Sequence, residues 1–332
     1  MANETQQTTK KLNVLSLFDG ISCAYLALNK AGVPIGKYYS SEIDKAALTI
    51  QKHHYHNNPN YIALGDITKL QVDTILNTDL VVFGSPCTQL SSVNTKDRSG
   101  LEGEDSSLFY EAIRILKELK QNKPKSDKLY FLMENVASMT AKDKNKITEE
   151  LQAIFGDEVQ FYKINSSDIA PAHRRRLYWS NIPNITLPCT NDTKFEDVLV
   201  NGFVDRNKAN VLLSGNVTLT NGIFRHYKMN MGNLIFKDKS FAELPTQQKL
   251  IQYPKILEKS NYVGKPKTQV SEYDFANGCY RTPSVLEAER LMTIPDGYVS
   301  GVDGVSKSNK HKCIGLAMTV DVITHLLSPL GE

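Results

Sequence analysis

Apolar and polar positions fall into short alternating blocks over the first half of the chain. Leu12–Leu17 (LNVLSL) is an apolar run that predicts a strand. Phe18-Asp19-Gly20-Ile21-Ser22 follows as a turn, and apolar spacing through Ala31 predicts a helix. A second strand is predicted at Tyr38-Tyr39-Ser40-Ser41, ending in Glu42, and a helix at Lys45–His53. Tyr61–Leu64 predicts a third strand, ending at Gly65-Asp66-Ile67. Leu80–Phe83 predicts a buried strand, cut off by Gly84 and Pro86. Leu108–Lys120 carries apolar residues at Leu108, Ile113, Leu116 and Leu119, the stripe of an amphipathic helix, and Pro124 breaks it. Leu129–Met133 predicts a strand ending in Glu134-Asn135-Val136. A helix at Ile147–Phe155 and strands at Val159–Ile164 and Leu177-Tyr178-Trp179 complete the series. Repeated strand, turn and helix predicts an α/β fold with a mainly parallel sheet.

After about Pro183 this rhythm is lost. Up to about Ala276, basic and aromatic residues interleave, among them Arg206, Lys208, Arg225, His226, Tyr227, Lys228, Lys237 and Lys249. Such a region can track phosphates and touch bases, and predicts a smaller second domain. Regular structure returns at Ser284–Met292, a helix with Ser284 as its cap, and at Gly315–Leu327, a helix too apolar to be exposed. The expected organisation is a disordered lead-in over 1–11, a first domain over 12–183, a second over 184–277, and a segment over 278–332 that returns to the first. No run of about 18 apolar residues is read, so no membrane span is expected.

Composition narrows the classes. The 332 residues are 41% hydrophobic with a net charge of +3, so nucleic-acid binding must use a local basic face. The five cysteines, Cys23, Cys87, Cys189, Cys279 and Cys313, form no CxxC pair. That argues against a zinc knuckle and for a reducing, cytoplasmic setting. His53, His54 and His56 are not read as a metal site, because adjacent histidines point to different sides of a helix.

The candidate chemistry sits where predicted strands end. Cys87 lies just past a buried strand, after a Pro that fixes the backbone. The polar Thr88–Asp105 loop is too long for a connector and reads as a lid, with Gly100 and Gly103 as hinges. Glu42 lies about 20 residues past Gly20, the spacing at which such folds hold a ribose. Asp66 suits either an adenine amino group or a helix cap. Glu134 is a costly group to bury without purpose. In a strand, Arg174 and Arg176 share a face suited to phosphate or carbonyl oxygens. A dehydrogenase-like reading fails, because no GxGxxG follows the first strand.

In order and spacing, Phe18-Asp19-Gly20, Pro86-Cys87, Glu134-Asn135-Val136 and Arg174-x-Arg176 resemble the cytosine-5 DNA methyltransferase family. The resemblance covers about 12–183 and 278–330. Leu90-Ser91, Val93-Asn94, Gly100-Leu101, Ala172-His173 and the Val322–Leu330 tail look closest to the animal de novo branch. Without that branch's chromatin-reading domains among these residues, a stand-alone phage or bacterial enzyme of restriction-modification type is expected. Thr88 stands where the family has Gln or Asn, Ala172 where most members have Gln, and Gly315-Leu316 where Gly-Asn is usual.

The resemblance implies a Rossmann-like sheet with helices on both faces and a target-recognition domain over 184–277. It implies methyl transfer from S-adenosylmethionine to C5 of a cytosine flipped out of duplex DNA, with no metal. Cys87 would add to C6, Glu134 would hold N3 and the amino group, Arg176 would hold O2, and Arg174 would orient the Cys87 loop or a phosphate. Phe18, Asp19 and Gly20 would lie at the cofactor's methionine end and Glu42 at its ribose. Ile43 and Ile67 would flank the adenine, with Asp66 on its amino group. Ile21, Ser22, Ser85, Pro86, Leu108, Ala317 and Met318 would complete the cofactor site. Ser91, Asn94, Arg98, Arg225 and Lys228 would touch DNA. The alternatives are an RNA cytosine methyltransferase on the same scaffold, or a silent DNA-binding relative.

Overall fold

A computed structural model describes residues 10–86, 90, 100–103, 107–124, 126–212, 226–227, 230–249 and 280–331. The strands are β1 (Leu12–Leu17), β2 (Ile35–Ser41), β3 (Tyr61–Ala63), β4 (Leu80–Gly84), β5 (Tyr130–Val136), β6 (Gln160–Asn165), β7 (Arg175–Ser180), β8 (Ile235–Phe236) and β9 (Tyr280–Arg281). The longer helices are α1 (Cys23–Lys30), α2 (Lys45–Tyr55), α3 (Leu108–Asn122), α4 (Ala141–Phe155), α5 (Val285–Leu291), α6 (Lys307–Leu316) and α7 (Val320–Leu327).

The main sheet has seven strands in the order β3-β2-β1-β4-β5-β7-β6. The pairs from β3 through β5 are parallel, and β7 runs antiparallel to β5. From β1 the chain goes first to β2 on one side and later to β4 on the other. In an open α/β sheet, that reversal leaves a crevice at the carboxyl ends of the strands. The turn after β1 and the residues after β4 both emerge there.

The core follows from the apolar runs. Leu15, Leu17, Val81, Phe83, Phe131 and Met133 pack with Phe109, Ile113 and Leu116 of α3 and with Ile147, Leu151 and Phe155 of α4. Helix α4 starts earlier than its apolar stripe, because Thr140 accepts from the Asp143 N–H and caps it at Ala141.

The chain groups into two compact units. The first holds residues 1–164, 175–188 and 320–332, and the second holds 165–174 and 189–319. In the first unit α7 packs on α1, and Lys30 pairs with Asp321 at 2.5 Å. In the second, Ser284 and Glu287 form a reciprocal cap at the start of α5. The buried Glu287 carboxylate is met by Arg281 at 2.6 Å.

Two expectations are corrected. The single helix over Gly315–Leu327 is two helices, because Ala317 is extended with ψ 157° and ends α6. By length and composition alone the stretch Lys307–Leu330 would reach across a membrane, but it is broken between α6 and α7. Burial of Val320, Val322, Ile323, Leu326 and Leu327 accounts for the apolar character of α7 as core. The basic residues of the second unit do not all face outward. Lys249 and Asp205 are buried together at 3.0 Å, with Arg206 and His226 on the same carboxylate. Lys208 donates to the carbonyls of Ala170 and Thr193. These groups hold the second unit's own chain together and are spent before any phosphate arrives.

Candidate active site

The turn after β1 is built on unusual backbone. Phe18, Gly20 and Ser22 have φ of 54°, 59° and 63°. For the two non-glycine residues this costs about 1–2 kcal/mol each. The turn is held by Glu42, at the end of β2. Its Oε2 accepts the Gly20 N–H at 2.7 Å, and its Oε1 accepts the N–H groups of Ile43 and Asp44, each at 2.7 Å. Beside it, Ile43 is 67% exposed, an apolar side chain left uncovered next to a carboxylate.

The Asp19 side chain, placed by the resemblance in the cofactor site, anchors the turn from within. Its carboxylate turns inward rather than toward the crevice. Oδ1 accepts from the Tyr38 hydroxyl at 2.6 Å. Oδ2 accepts from the Ser40 hydroxyl at 2.7 Å and the Gln51 amide at 3.2 Å, and lies 2.8 Å from the Ser22 hydroxyl and 3.2 Å from the Tyr61 hydroxyl; these two also bond each other, so one of them donates to the carboxylate and the other donates to its partner. Ser22, read as a cofactor contact, is likewise buried and spent on this network. Burial and the neighbouring Asp19 charge push the Tyr38 and Tyr61 hydroxyls well above the usual phenol range, so both remain donors. Tyr38, Ser40, Gln51 and Tyr61 carry no motif or spacing that marks them as partners of Asp19.

Asp66 accepts from the Thr68 N–H at 3.0 Å and the Thr68 hydroxyl at 2.8 Å, which lower its carboxyl below the usual range. Its cap role is thus seen, on Oδ1. Ile67 is buried, and Leu108 is half-buried at the start of α3. Ser85 is buried, its hydroxyl accepting from Asn135 at 3.0 Å, so β5 fixes the exit of β4. Pro86 ends the described stretch there.

Glu134 lies within β5, beside Gly84 of β4 in register. Its Oε1 meets the Arg176 Nε at 2.7 Å, with the two side chains only 12% and 15% exposed. Arg174, expected on the same strand face as Arg176, precedes β7 instead. It is 6% exposed, its Nη1 donates to the Gly315 carbonyl at 3.1 Å, and its N–H donates to Asn165 at 3.0 Å. Ala317 and Met318 follow α6 in the second unit, after Leu316, which is 60% exposed.

Cys87, Thr88, Ser91, Asn94, Arg98, Arg225 and Lys228 lie outside the described residues, as does most of the expected lid. Two ends of that loop are seen. Leu90 and Leu101 are buried in the first unit's core. Gly100 does not look like a free hinge: its φ is 71°, and an added Cβ would sit 2.6 Å from Asp143 Oδ1. That same oxygen accepts the Leu101 N–H at 3.2 Å.

The Type II methyltransferase M.NlaIV of Neisseria lactamica is 29% identical over 213 residues, which are 59% of this chain and 47% of the relative. The orphan methyltransferase M.SPRI of Bacillus phage SPR is 33% identical over 172 residues, 51% of this chain and 37% of the relative. The chain thus spans less than half the length of these curated relatives. The methyltransferase EhMeth of Entamoeba histolytica shares the fold, with a TM-score of 0.68 at 14% identity, covering 97% of this chain and 98% of that one. The model of the C-5 cytosine-specific DNA methylases matches residues 12–332, and the chain belongs to that family.

Proposed function

We propose that the protein is a DNA cytosine-5 methyltransferase that uses S-adenosylmethionine and forms a covalent bond from Cys87 to C6 of a flipped-out cytosine. The observation that carries this reading is the Glu134–Arg176 pair at the carboxyl ends of the central strands. A carboxyl group and a guanidinium held side by side match one edge of cytosine. The carboxyl can bond N3 and the exocyclic amino group, and the guanidinium can bond O2.

Cytosine C5 is a poor nucleophile. Addition of the Cys87 thiolate at C6 makes the ring enamine-like and C5 reactive. A free thiol is only about 3% thiolate at pH 7, so nearby arginine charge favours the attacking form. As electron density moves into the ring, protonated Glu134 donates to N3. Removal of the C5 proton, with water as the base, then expels the Cys87 thiolate, and the N3 proton returns to Glu134 as the ring is restored. The target atom is inaccessible in a stacked duplex, so the base must be rotated out.

The residues after β1 and β2 fit an adenosyl cofactor. The exposed Ile43 offers an apolar surface to a purine, and the Glu42 carboxylate beside it has capacity for ribose hydroxyls. Phe18 and Gly20 would face the methionine end, and Asp66, with Oδ2 outside its cap, the adenine amino group. Ile21, Ile67, Ser85, Pro86, Leu108, Ala317 and Met318 belong to this reading as neighbours of the cofactor. When bound, the cofactor supplies an electrophilic methyl group.

At 6% exposure Arg174 is suited to positioning the turn into β7, and so Arg176, rather than to meeting a phosphate. Target recognition is assigned to the region 184–277, and DNA contacts to Ser91, Asn94, Arg98, Arg225 and Lys228. Bacterial and phage relatives support a cytoplasmic site of action.

The test is a covalent trap. A duplex containing 5-fluorocytosine, with cofactor, should give an adduct stable to denaturation for the wild type and none for Cys87→Ser. Cys87→Ser should keep the fold and cofactor binding. Unchanged methylation by that variant would overturn the assignment.

A further inference from the structure

We propose that Tyr61 and Tyr38 are positioning residues for the cofactor: through Asp19 and Ser22, their hydroxyls hold the Phe18–Ser22 turn in its left-handed conformation and so set cofactor affinity. The inference rests on the cofactor reading above and extends it to residues that touch no ligand.

The turn has left-handed backbone at Phe18, Gly20 and Ser22, which two of these residue types adopt reluctantly. Something outside the turn must hold it. Glu42 grips one point, the Gly20 N–H. The other grip is the buried Asp19 carboxylate, between two left-handed residues. Its partners come from β2 (Tyr38, Ser40), β3 (Tyr61), α2 (Gln51) and the turn itself (Ser22). Gln51 also donates to the Gly20 carbonyl at 2.8 Å, so the same cluster holds both sides of the turn's glycine.

Tyr61 joins the two ends of the turn. Its hydroxyl lies 2.7 Å from the Ser22 hydroxyl and 3.2 Å from Asp19 Oδ2. Its ring is stacked between Tyr55, at 4.4 Å and 9°, and Tyr38, at 5.2 Å and 23°. That packing keeps the ring in place when only the oxygen is removed, so Tyr61→Phe is a clean deletion of the hydrogen bonds. The raised phenol range of both tyrosines keeps them protonated, as donors in this network must be.

A turn that samples other conformations binds more weakly by the fraction of time it is misfit. Loss of one typical intramolecular hydrogen bond corresponds to about a three- to tenfold change in such an equilibrium. Tyr25 supplies the control. It packs edge-on to Tyr38 at 5.1 Å, but its hydroxyl accepts from Asn58, and no hydrogen bond to Asp19 is seen.

The experiment is calorimetric titration of the whole protein with S-adenosylhomocysteine, for the wild type and the Tyr61→Phe, Tyr38→Phe and Tyr25→Phe variants. Tyr61→Phe and Tyr38→Phe should each weaken binding about three- to tenfold, and Tyr25→Phe less than about twofold. In turnover, the KM for the cofactor should rise for the first two, with kcat at saturating cofactor and the KM for DNA unchanged. Equal binding by wild type and Tyr61→Phe would overturn the proposal, as would an equal loss in Tyr25→Phe. Where a tyrosine variant fails to fold, Ser40→Ala removes one donor to the same carboxylate oxygen and leaves the ring stack intact; undiminished affinity there overturns it equally. A wild type that binds no S-adenosylhomocysteine removes the cofactor reading itself, and this proposal with it.

Discussion

Glu134 and Arg176 meet at 2.7 Å across the antiparallel edge of an otherwise parallel stretch of sheet. In the β5–β7 register Val136 faces Arg176 and Glu134 faces Tyr178, so the pair is a diagonal one on the same ladder. Because β7 runs opposite to β5, its first residues, Arg176 among them, lie at the carboxyl end of β5 beside the end of β4. The reversal of β7 is therefore what assembles the pair.

Glu134→Gln should separate its two roles. An amide cannot donate a carboxyl proton to N3, so kcat should fall by about 100-fold or more. Arg176 also loses a charge-assisted partner, which should cost about 1–3 kcal/mol of stability. Labelled methyl transfer reads the first effect and thermal unfolding the second. A variant that retained wild-type kcat would remove Glu134 from the chemistry.

Glu42 carries three backbone N–H groups on two oxygens. Glu42→Gln leaves one acceptor oxygen and puts an NH2 group opposite a backbone donor. The turn at Gly20 and the stretch at Ile43–Asp44 then compete for the same atom. Cofactor binding should weaken by about tenfold or more, as measured by titration with S-adenosylhomocysteine. Full affinity in this variant would show that the carboxylate neither shapes the turn nor meets the ribose.

Gly100 tests the anchor of the long loop. Its φ of 71° disfavours any side chain, and a Cβ would meet Asp143 Oδ1 at 2.6 Å. Gly100→Ala should lower stability by about 1–3 kcal/mol and disturb the bond from the Leu101 N–H. An unaltered melting temperature would show that the loop end is not held there.

What the sequence disclosed, and what it hid, divides by distance along the chain. The strands β1 and β4, the turn at Gly20, Glu42 and the Ser284 cap were legible, because each depends on neighbours within a few residues. Glu134 and Arg176 were legible as residue types, but their pairing depends on the direction of β7, which no local pattern states. The anchoring role of Asp19 was not legible. Its partners at Tyr38, Ser40, Gln51 and Tyr61 arrive from three other elements, and an Asp beside a glycine turn is locally indistinguishable from a ligand contact. Helix α6 was missed because its sequence, KSNKHKCIGL, has no apolar stripe. Lys249 and Arg206 looked like a basic surface, since burial of a cation is set by the carboxylate that meets it, here Asp205.

That buried cluster makes the second unit sensitive to acid. Burial pushes the Asp205 carboxyl up, but hydrogen bonds from His226, Tyr227 and Lys249 and the His226 charge outweigh it, leaving Asp205 far below the usual range. For His226 burial is the largest effect and lowers it, only partly offset by Asp205. Both groups therefore take up protons more readily in the unfolded chain. The unfolded state gains protons on His226 below about pH 6.5, and on Asp205 below about pH 4. Stability should be flat above neutrality, begin to fall as pH drops through the histidine range, and fall more steeply below about pH 4. Glu287, which Arg281 and the Ser284 and Val200 N–H groups hold low against the upward push of burial, adds to the second stage with the same sign. Thermal unfolding across pH 3 to 8 checks this. His226→Gln should remove the first stage and keep the second. A melting temperature that rose on acidification, or an unchanged profile in His226→Gln, would show that this cluster does not govern the acid response.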